Sequence, residues 1–442
     1  MLEKWFHFQE KGSNLSREIT GGLTTFLTMA YIIFVQPVVM HAAGMDLEAV
    51  LVATCLSSAL ATILMGVLSN YPIAQAPAMG HNFFFTYVVV LTLGYTWQQA
   101  LGAIFISGSI FFILTLFGLW DKLITALPAS LKNAIAVGIG LLIAMVGMQW
   151  SGIVVDNPGT LVGLGDLTSK PVLLSLLGLT VTAFLLVRGV KAAILIGILV
   201  NLIVALALGM VHYQGVVEAA PSLKPTLFQL DIKGALQTGM LAIIFIFFFL
   251  DLFDTVGTLV GISQEAGFIE KDGSLPRARQ ALLSDAAGTI IGALLGTSTI
   301  TSYIESSAGV SAGARTGLAN IVTGLLFLIA IFFAPLLRMV GGGIEVVEGV
   351  KLYPIIAPAL IIVGVLMMNN VTRIEWSDYS EAIPAFLTML MMPLTFSITE
   401  GIAFGFISYT LLKAVKGKFK EVPWLISLFA ILFILRYLFL SD

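Results

Sequence analysis

Two aspartates three residues apart, Asp251 and Asp254, sit inside FFFLDLFDTVGTLVG (247–261), the middle of a hydrophobic run long enough to cross a membrane. Counted at about 1.5 Å per residue from Thr238, Asp251 falls roughly 20 Å along a helix that must cover about 30 Å of hydrocarbon. Residues three apart share a helix face. An aspartate at that depth costs about 2.5 to 3.5 kcal/mol, so the shared face must meet water, a partner or a ligand. Carboxylates so placed can accept a ligand's N–H groups or hold a proton, which points to a transport site; the alternative is a structural pair hydrogen-bonded to neighbouring helices. The other polar residues at membrane depth are Glu305, Tyr303, Asn82 and His81. Glu305 falls at the start of a half-helix, where the positive end of the dipole favours a carboxylate. Asn82 offers two donors and an acceptor, either to a ligand or to a packed helix. His81 suits proton shuttling or a plain hydrogen bond to a backbone carbonyl. His7, His41 and His212 read as interfacial, and Asp46 and Glu400 as solvated near external span ends.

These residues need a scaffold that brings distant spans to the midplane. Hydropathy places spans near 18–43, 47–69, 74–93, 97–120, 131–150, 171–187 and 190–212. After a polar stretch with Pro221 and Pro225 come 236–262, 277–296, 299–314, 317–338, 353–370, 379–396 and 398–415, then an apolar tail, 424–440, that either spans the membrane or lies along it. Two sets of seven, an odd number each, imply two inverted repeats, an architecture whose substrate site lies at the midplane between discontinuous helices. The third span, YPIAQAPAMGHNFFFTYVVV, is broken by Pro72, Pro77 and Gly80. The tenth, GTSTITSYIESSAGVSAGARTG, is short and polar. Each reads as an extended stretch (73–76; 298–302) leading into a half-helix, and non-helical backbone at that depth is tolerated only beside a cavity. The expected fold is thus an all-α polytopic membrane protein of 14 segments. Gly288, Gly292 and Gly296 make a small-residue packing stripe.

Composition sets the class. The 442 residues are 58% hydrophobic and only 11% charged, with a mean hydropathy of +1.01, far from the soluble average of about 25% charged. With the N-terminus cytoplasmic, sixteen of the 22 Lys and Arg, Lys122 and Lys271 among them, fall inside. Lys170, Lys224, Lys233, Arg338 and Lys351 fall outside and Arg436 in the tail, as the positive-inside rule asks. The charged, aromatic start MLEKWFHFQEKG is no signal peptide; Trp5, Phe6 and Phe8 suggest an interfacial segment. One cysteine, Cys55, excludes a disulfide framework and a cysteine metal cluster. The signatures H-E-x-x-H, G-x-x-x-x-G-K-[ST] and G-x-S-x-G are missing, so neither hydrolysis nor ATP-driven pumping is expected, and no cofactor, metal or nucleic acid.

The runs QAPAMGHNFFF (75–85), FFFLDLFDTVGTLVG (247–261) and SLPRARQALLSDAAGTIIGALLGTSTITSYIESSAGVSAGARTGLAN (274–320) resemble the AzgA-type purine permeases, a branch of the nucleobase/ascorbate transporter family, and the resemblance covers nearly the whole chain. It implies a substrate-binding core (1–120 and 236–338), a gate domain (121–235 and 339–442), and proton-coupled uptake of adenine, guanine or hypoxanthine across the plasma membrane. Its partners would be the purine, protons and the bilayer, with a homodimer left open. Carried over by motif, Asn82, Asp251, Asp254 and Glu305 are the functional polar residues, and Tyr303 is similar to an aromatic residue near the base. Ala78, His81 and Phe83 depart from the family's APGMGLNA. A purine rim of N–H donors and ring-nitrogen acceptors matches Asp251, Glu305 and Asn82, and its faces match Phe83 or Tyr303; proton coupling would fall to Asp251, Asp254, Glu305 or His81. Other readings are an anion exchanger of the same architecture, or a channel or structural membrane protein.

Overall fold

Apolar runs with capping side chains at their flanks become helices here, and runs interrupted by Pro, Gly or hydroxyl residues become short helices and strands. The computed structural model describes residues 2–118, 128–237, 239–270, 275–347 and 350–439. Lys122, Thr238, Lys271 and residue 440, which enter the readings above, lie outside the described residues. Among these, eight helical runs are long and apolar enough to cross a membrane, and four apolar helices are shorter.

The described residues fall into two compact units, one within 1–118 and 149–359, the other within 119–148 and 360–442. In the first, α1 (Leu2–Phe6), α2 (Leu15–Met29), α3 (Ile32–Ala42) and α4 (Leu47–Leu68) precede strand β1 (Gln75–Pro77). Asn14 caps α2 by accepting from the Arg17 amide, and Asp46 caps α4 through Ala49. The first expected span is therefore two helices, parted at Ala30 and Tyr31. After β1 come α5 (Met79–Phe83), a π-helical segment Phe84–Thr92, and α6 (Trp97–Leu116), which opens on a capping box of Thr96 and Gln99. A wide helical turn of that kind is rare and recurs at functional sites.

Helix α7 (Ala129–Trp150) leads to strands β2 (Val154–Asn157) and β3 (Leu161–Leu164). Then come α8 (Lys170–Val187), α9 (Ala193–Ala207), α10 (Ile232–Ala235), α11 (Met240–Ala266), α12 (Ala278–Leu295), β4 (Ile300–Ser302), α13 (Ser306–Ser311), α14 (Leu318–Ala330) and α15 (Ala334–Gly341). Strands β5 (Ile344–Val347) and β6 (Val350–Leu352) follow. The two hairpins, β2 with β3 and β5 with β6, are additions to the all-helical expectation. The first forms because Asn157 folds its side chain onto the Gly159 amide (2.9 Å), a local turn bond that competes with helix. Phe6 and Phe8 pack against Leu318 and are buried, while Trp5 is exposed, so only part of the expected interfacial segment faces outward.

The remaining elements are α16 (Ala357–Met367), α17 (Tyr379–Thr395), α18 (Ile398–Val415) and α19 (Trp424–Phe439). Inside the second unit, Asp378 caps α17 through the Ser380 amide (2.9 Å). The Lys416 ammonium at 2.6 Å is the first of the hydrogen bonds that hold the Asp378 carboxyl below the usual range. Lys413 of α18 pairs with Glu381 at 2.8 Å.

Candidate functional site

Strands β1 and β4 lie antiparallel, with Gln75 opposite Ser302, Ala76 opposite Thr301 and Pro77 opposite Ile300. The Ala78 amide donates to Thr299 O and the Tyr303 amide to Ala74 O, each at 2.9 Å. Hydrogen-bonded and non-bonded pairs alternate in such a ladder, so Gln75, Pro77 and Ile300 turn their backbone polar groups outward. Pro77, which has no N–H, occupies a place where none is needed. Inside a membrane the outward groups need partners, and two threonines supply them. Thr62 of α4 accepts the Gln75 amide and donates to Gln75 O, both at 2.9 Å. Thr289 of α12 accepts the Ile300 amide at 3.2 Å and donates to Ile300 O at 2.9 Å. The glycine stripe of α12 lets β4 sit this close: a Cβ on Gly288 would lie 3.1 Å from the Ile300 side chain, and one on Gly292 3.0 Å from it.

The sequence-derived residues divide into groups around this pair. Glu305 stands just ahead of α13, half-buried, and accepts the Tyr31 hydroxyl at 2.7 Å. Asp254 is exposed, accepts the Thr301 hydroxyl at 3.2 Å and feels the charge of Glu305. Along the same face, a Cβ on Gly257 would meet nothing within 4 Å, and one on Gly261 only Ile304. Glu305, Asp254 and these glycines therefore face open space. Asp251 does not: fully buried, it turns toward α12 and accepts from Thr289 at 3.1 Å.

Asn82 is buried and donates to Gln36 Oε1 at 2.6 Å; Gln36 in turn donates to Thr297 (3.0 Å) and Ser298 (2.9 Å). The amide thus ties α5 through α3 to the approach of β4. Tyr303 is 5% exposed and straps the strands by donating to Pro77 O at 2.5 Å. Phe83 is buried and stacks on Tyr87, centroids 5.6 Å apart. His81 is buried with neither ring nitrogen partnered. Sequence reasoning missed Tyr31, Gln36, Gln75 and Asp285. Asp285 of α12 is fully buried and accepts from Thr255 (2.7 Å), Gln75 (2.9 Å) and Ser302 (3.2 Å). Its signal was available: it is an acid inside the ninth expected span.

A family model described as "Permease family" matches residues 16–404. The chain belongs to the permease family. The permease is accordingly a multi-pass membrane transporter and not an enzyme. It is 47% identical to the guanine/hypoxanthine permease PbuG of Bacillus subtilis over 453 residues, covering all of both chains. It is 45% identical to the adenine permease AdeP of Escherichia coli over 441 residues, covering 100% of this chain and 97% of that one. Among solved structures, the transmembrane domain of a cyanobacterium bicarbonate transporter, BicA, superposes with a TM-score of 0.63, covering 88% of the permease and 97% of that chain. At 16% identity this likeness concerns the fold alone.

Proposed function

We propose that the permease is a secondary active transporter that imports purine nucleobases, adenine, guanine or hypoxanthine, by proton symport. The observation that carries the proposal is the open pair of carboxylates, Glu305 and Asp254, where an antiparallel strand pair runs into two short helices. A neutral purine presents N–H donors that ionised carboxylates accept, and the Tyr31 hydroxyl can pass from Glu305 to a ring nitrogen. Asp251, Asn82, Tyr303 and Phe83 act behind that pair, fixing the strands and α5. Full-length similarity to relatives named for adenine and for guanine/hypoxanthine supports the purine class.

In this reading the chain forms fourteen spans in two inverted seven-span repeats with the N-terminus cytoplasmic, a core of 1–120 and 236–338, and a gate of 121–235 and 339–442. The matched threonine caps, Thr62 from the second span on β1 and Thr289 from the ninth on β4, are what such a repeat would produce. The test is uptake of labelled adenine and hypoxanthine by cells lacking their own purine permeases, with and without a protonophore. Concentrative uptake abolished by the protonophore is expected; flux that ignores it would overturn symport.

A further inference from the structure

Two carboxylates, Asp251 and Asp285, are buried together beneath β4, each fully inaccessible. Asp251 accepts from Thr289, one turn from Asp285 on α12, and Asp285 accepts from Thr255, one turn from Asp251 on α11, so the crossed bonds set the two acids side by side. The polar neighbours can be counted hydrogen by hydrogen. Three donors, Thr255, Gln75 and Ser302, converge on one oxygen of Asp285, its Oδ1, and Oδ2 receives none. On Asp251, Oδ2 faces the Thr289 hydroxyl, and Oδ1 has no partner. Two orphaned oxygens on adjacent buried acids satisfy each other only if a hydrogen lies between them.

We propose that Asp251 and Asp285 hold a single proton between Asp251 Oδ1 and Asp285 Oδ2, and that this proton governs how firmly β4 is seated. Asp285, with three donors, is the ionised member, and Asp251 carries the hydrogen. The link to the strand is Thr289. Its one hydrogen faces two acceptors, Ile300 O at 2.9 Å and Asp251 Oδ2 at 3.1 Å. While Asp251 is neutral the hydrogen stays on the strand carbonyl; when the proton leaves, the new charge draws it away and Ile300 O loses its partner. Thr62 caps β1 by the same geometry, but no carboxylate is among its hydrogen-bond partners, so only the β4 side is switchable. Asp285 is thus a positioning residue, acting on the strand that leads to Glu305 directly through Ser302 and, by way of Asp251, through Thr289.

Among the described residues, the titratable groups on the elements packed around the pair are few. Asp254, one turn along α11, acts on both acids and is held by Thr301. Tyr303 beyond β4 donates to Pro77 O, and His81 on α5 is buried without partners. Helix α6, packed on α12, carries no acid or base, and on α4 Glu48 is engaged by Arg338 at 2.5 Å.

The role of this proton in transport rests on the symport reading; its presence does not, and the experiment uses purified protein without substrate. Infrared spectroscopy at neutral pH should show the C=O stretch of a protonated carboxyl, shifted in deuterated buffer. Asp251→Asn and Asp285→Asn should each abolish it, because the amide donates to the remaining carboxylate and no proton is needed, whereas Asp254→Asn should retain it. Melting temperature provides a second readout. It should fall for the wild type as rising pH removes the proton and fall less steeply over that range in Asp251→Asn. A band that survives both dyad variants, or that vanishes in Asp254→Asn, would overturn the proposal, as would a wild-type melting temperature no more sensitive to pH than that of Asp251→Asn.

Discussion

Asn82 and His81 are neighbours with opposite surroundings, and the contrast predicts opposite tolerance to substitution. Asn82→Ala strips Gln36 Oε1 of its 2.6 Å partner, and an orphaned buried acceptor costs about 1 to 3 kcal/mol. His81→Leu removes two ring nitrogens that have no partner. Purine uptake should therefore fall far more in Asn82→Ala; equal losses would mean that His81 has a task of its own. At the open pair of carboxylates, Glu305→Gln keeps shape and loses charge, so it should abolish concentrative uptake, while Glu305→Asp should retain some uptake with a shifted pH profile. Accumulation measured against pH checks both, and an unaltered wild-type profile in Glu305→Gln would remove this acid from the mechanism. Asp251, Asp254 and Glu305 were legible in the sequence because ionisable groups break an apolar pattern that hydrocarbon otherwise enforces. The division of labour between Asp251 and Asp254 was not. Residues three apart share a helix face only loosely, and side-chain partners decided that one faces open space and the other α12. Tyr31 was illegible for another reason: a tyrosine in an apolar span is ordinary, and its importance comes from a helix break that hydropathy averages over.

The broken elements depend on close helix contacts. Helix α4 and the start of α14 approach so tightly that a Cβ on Gly317 would run into the Gly66 backbone, and one on Gly66 would sit 2.6 Å from Gly317 O. Overpacking typically costs about 1 to 3 kcal/mol, and backbone on the receiving side cannot rotate away. Gly317→Ala should thus lower the melting temperature of the purified protein clearly. Gly257→Ala, facing open space, should leave it unchanged or raise it, since alanine is the better helix former by about 1 kcal/mol. Equal destabilisation by the two would refute the close-contact argument. The strands themselves were half legible. Pro72, Pro77 and the hydroxyl-rich 297–302 segment signalled extended backbone, yet the expected 73–76 and 298–302 became 75–77 and 300–302. Register follows from pairing with a segment far away in the chain, which local composition does not encode.

For the molecule as a whole, orientation is the property that positive charges predict. Lys413 lies in the last turn of α18 and Lys416, Lys418 and Lys420 follow it, and a cysteine replacing Lys418, whose ion-pair partner among the described residues is nearby Glu421 at 3.0 Å, should resist an impermeant reagent applied to intact cells. Labelling from outside would reverse the topology. The apolar character was legible from composition alone because hydrocarbon admits few charges; the number of spans was less so, since 16 residues, as in α19, reach only about 24 Å at 1.5 Å per residue. The strand pair also sets a timetable for biogenesis. Gln75 and Ser302 are 227 residues apart, and at about 5 to 20 residues per second a ribosome needs roughly 10 to 45 s to add the second strand after the first. Throughout that interval β1 has its Thr62 cap on one edge and nothing on the other. A nascent chain stalled before residue 300 carries an open strand edge inside the bilayer, a mark by which membrane proteases can tell unfinished copies from finished ones.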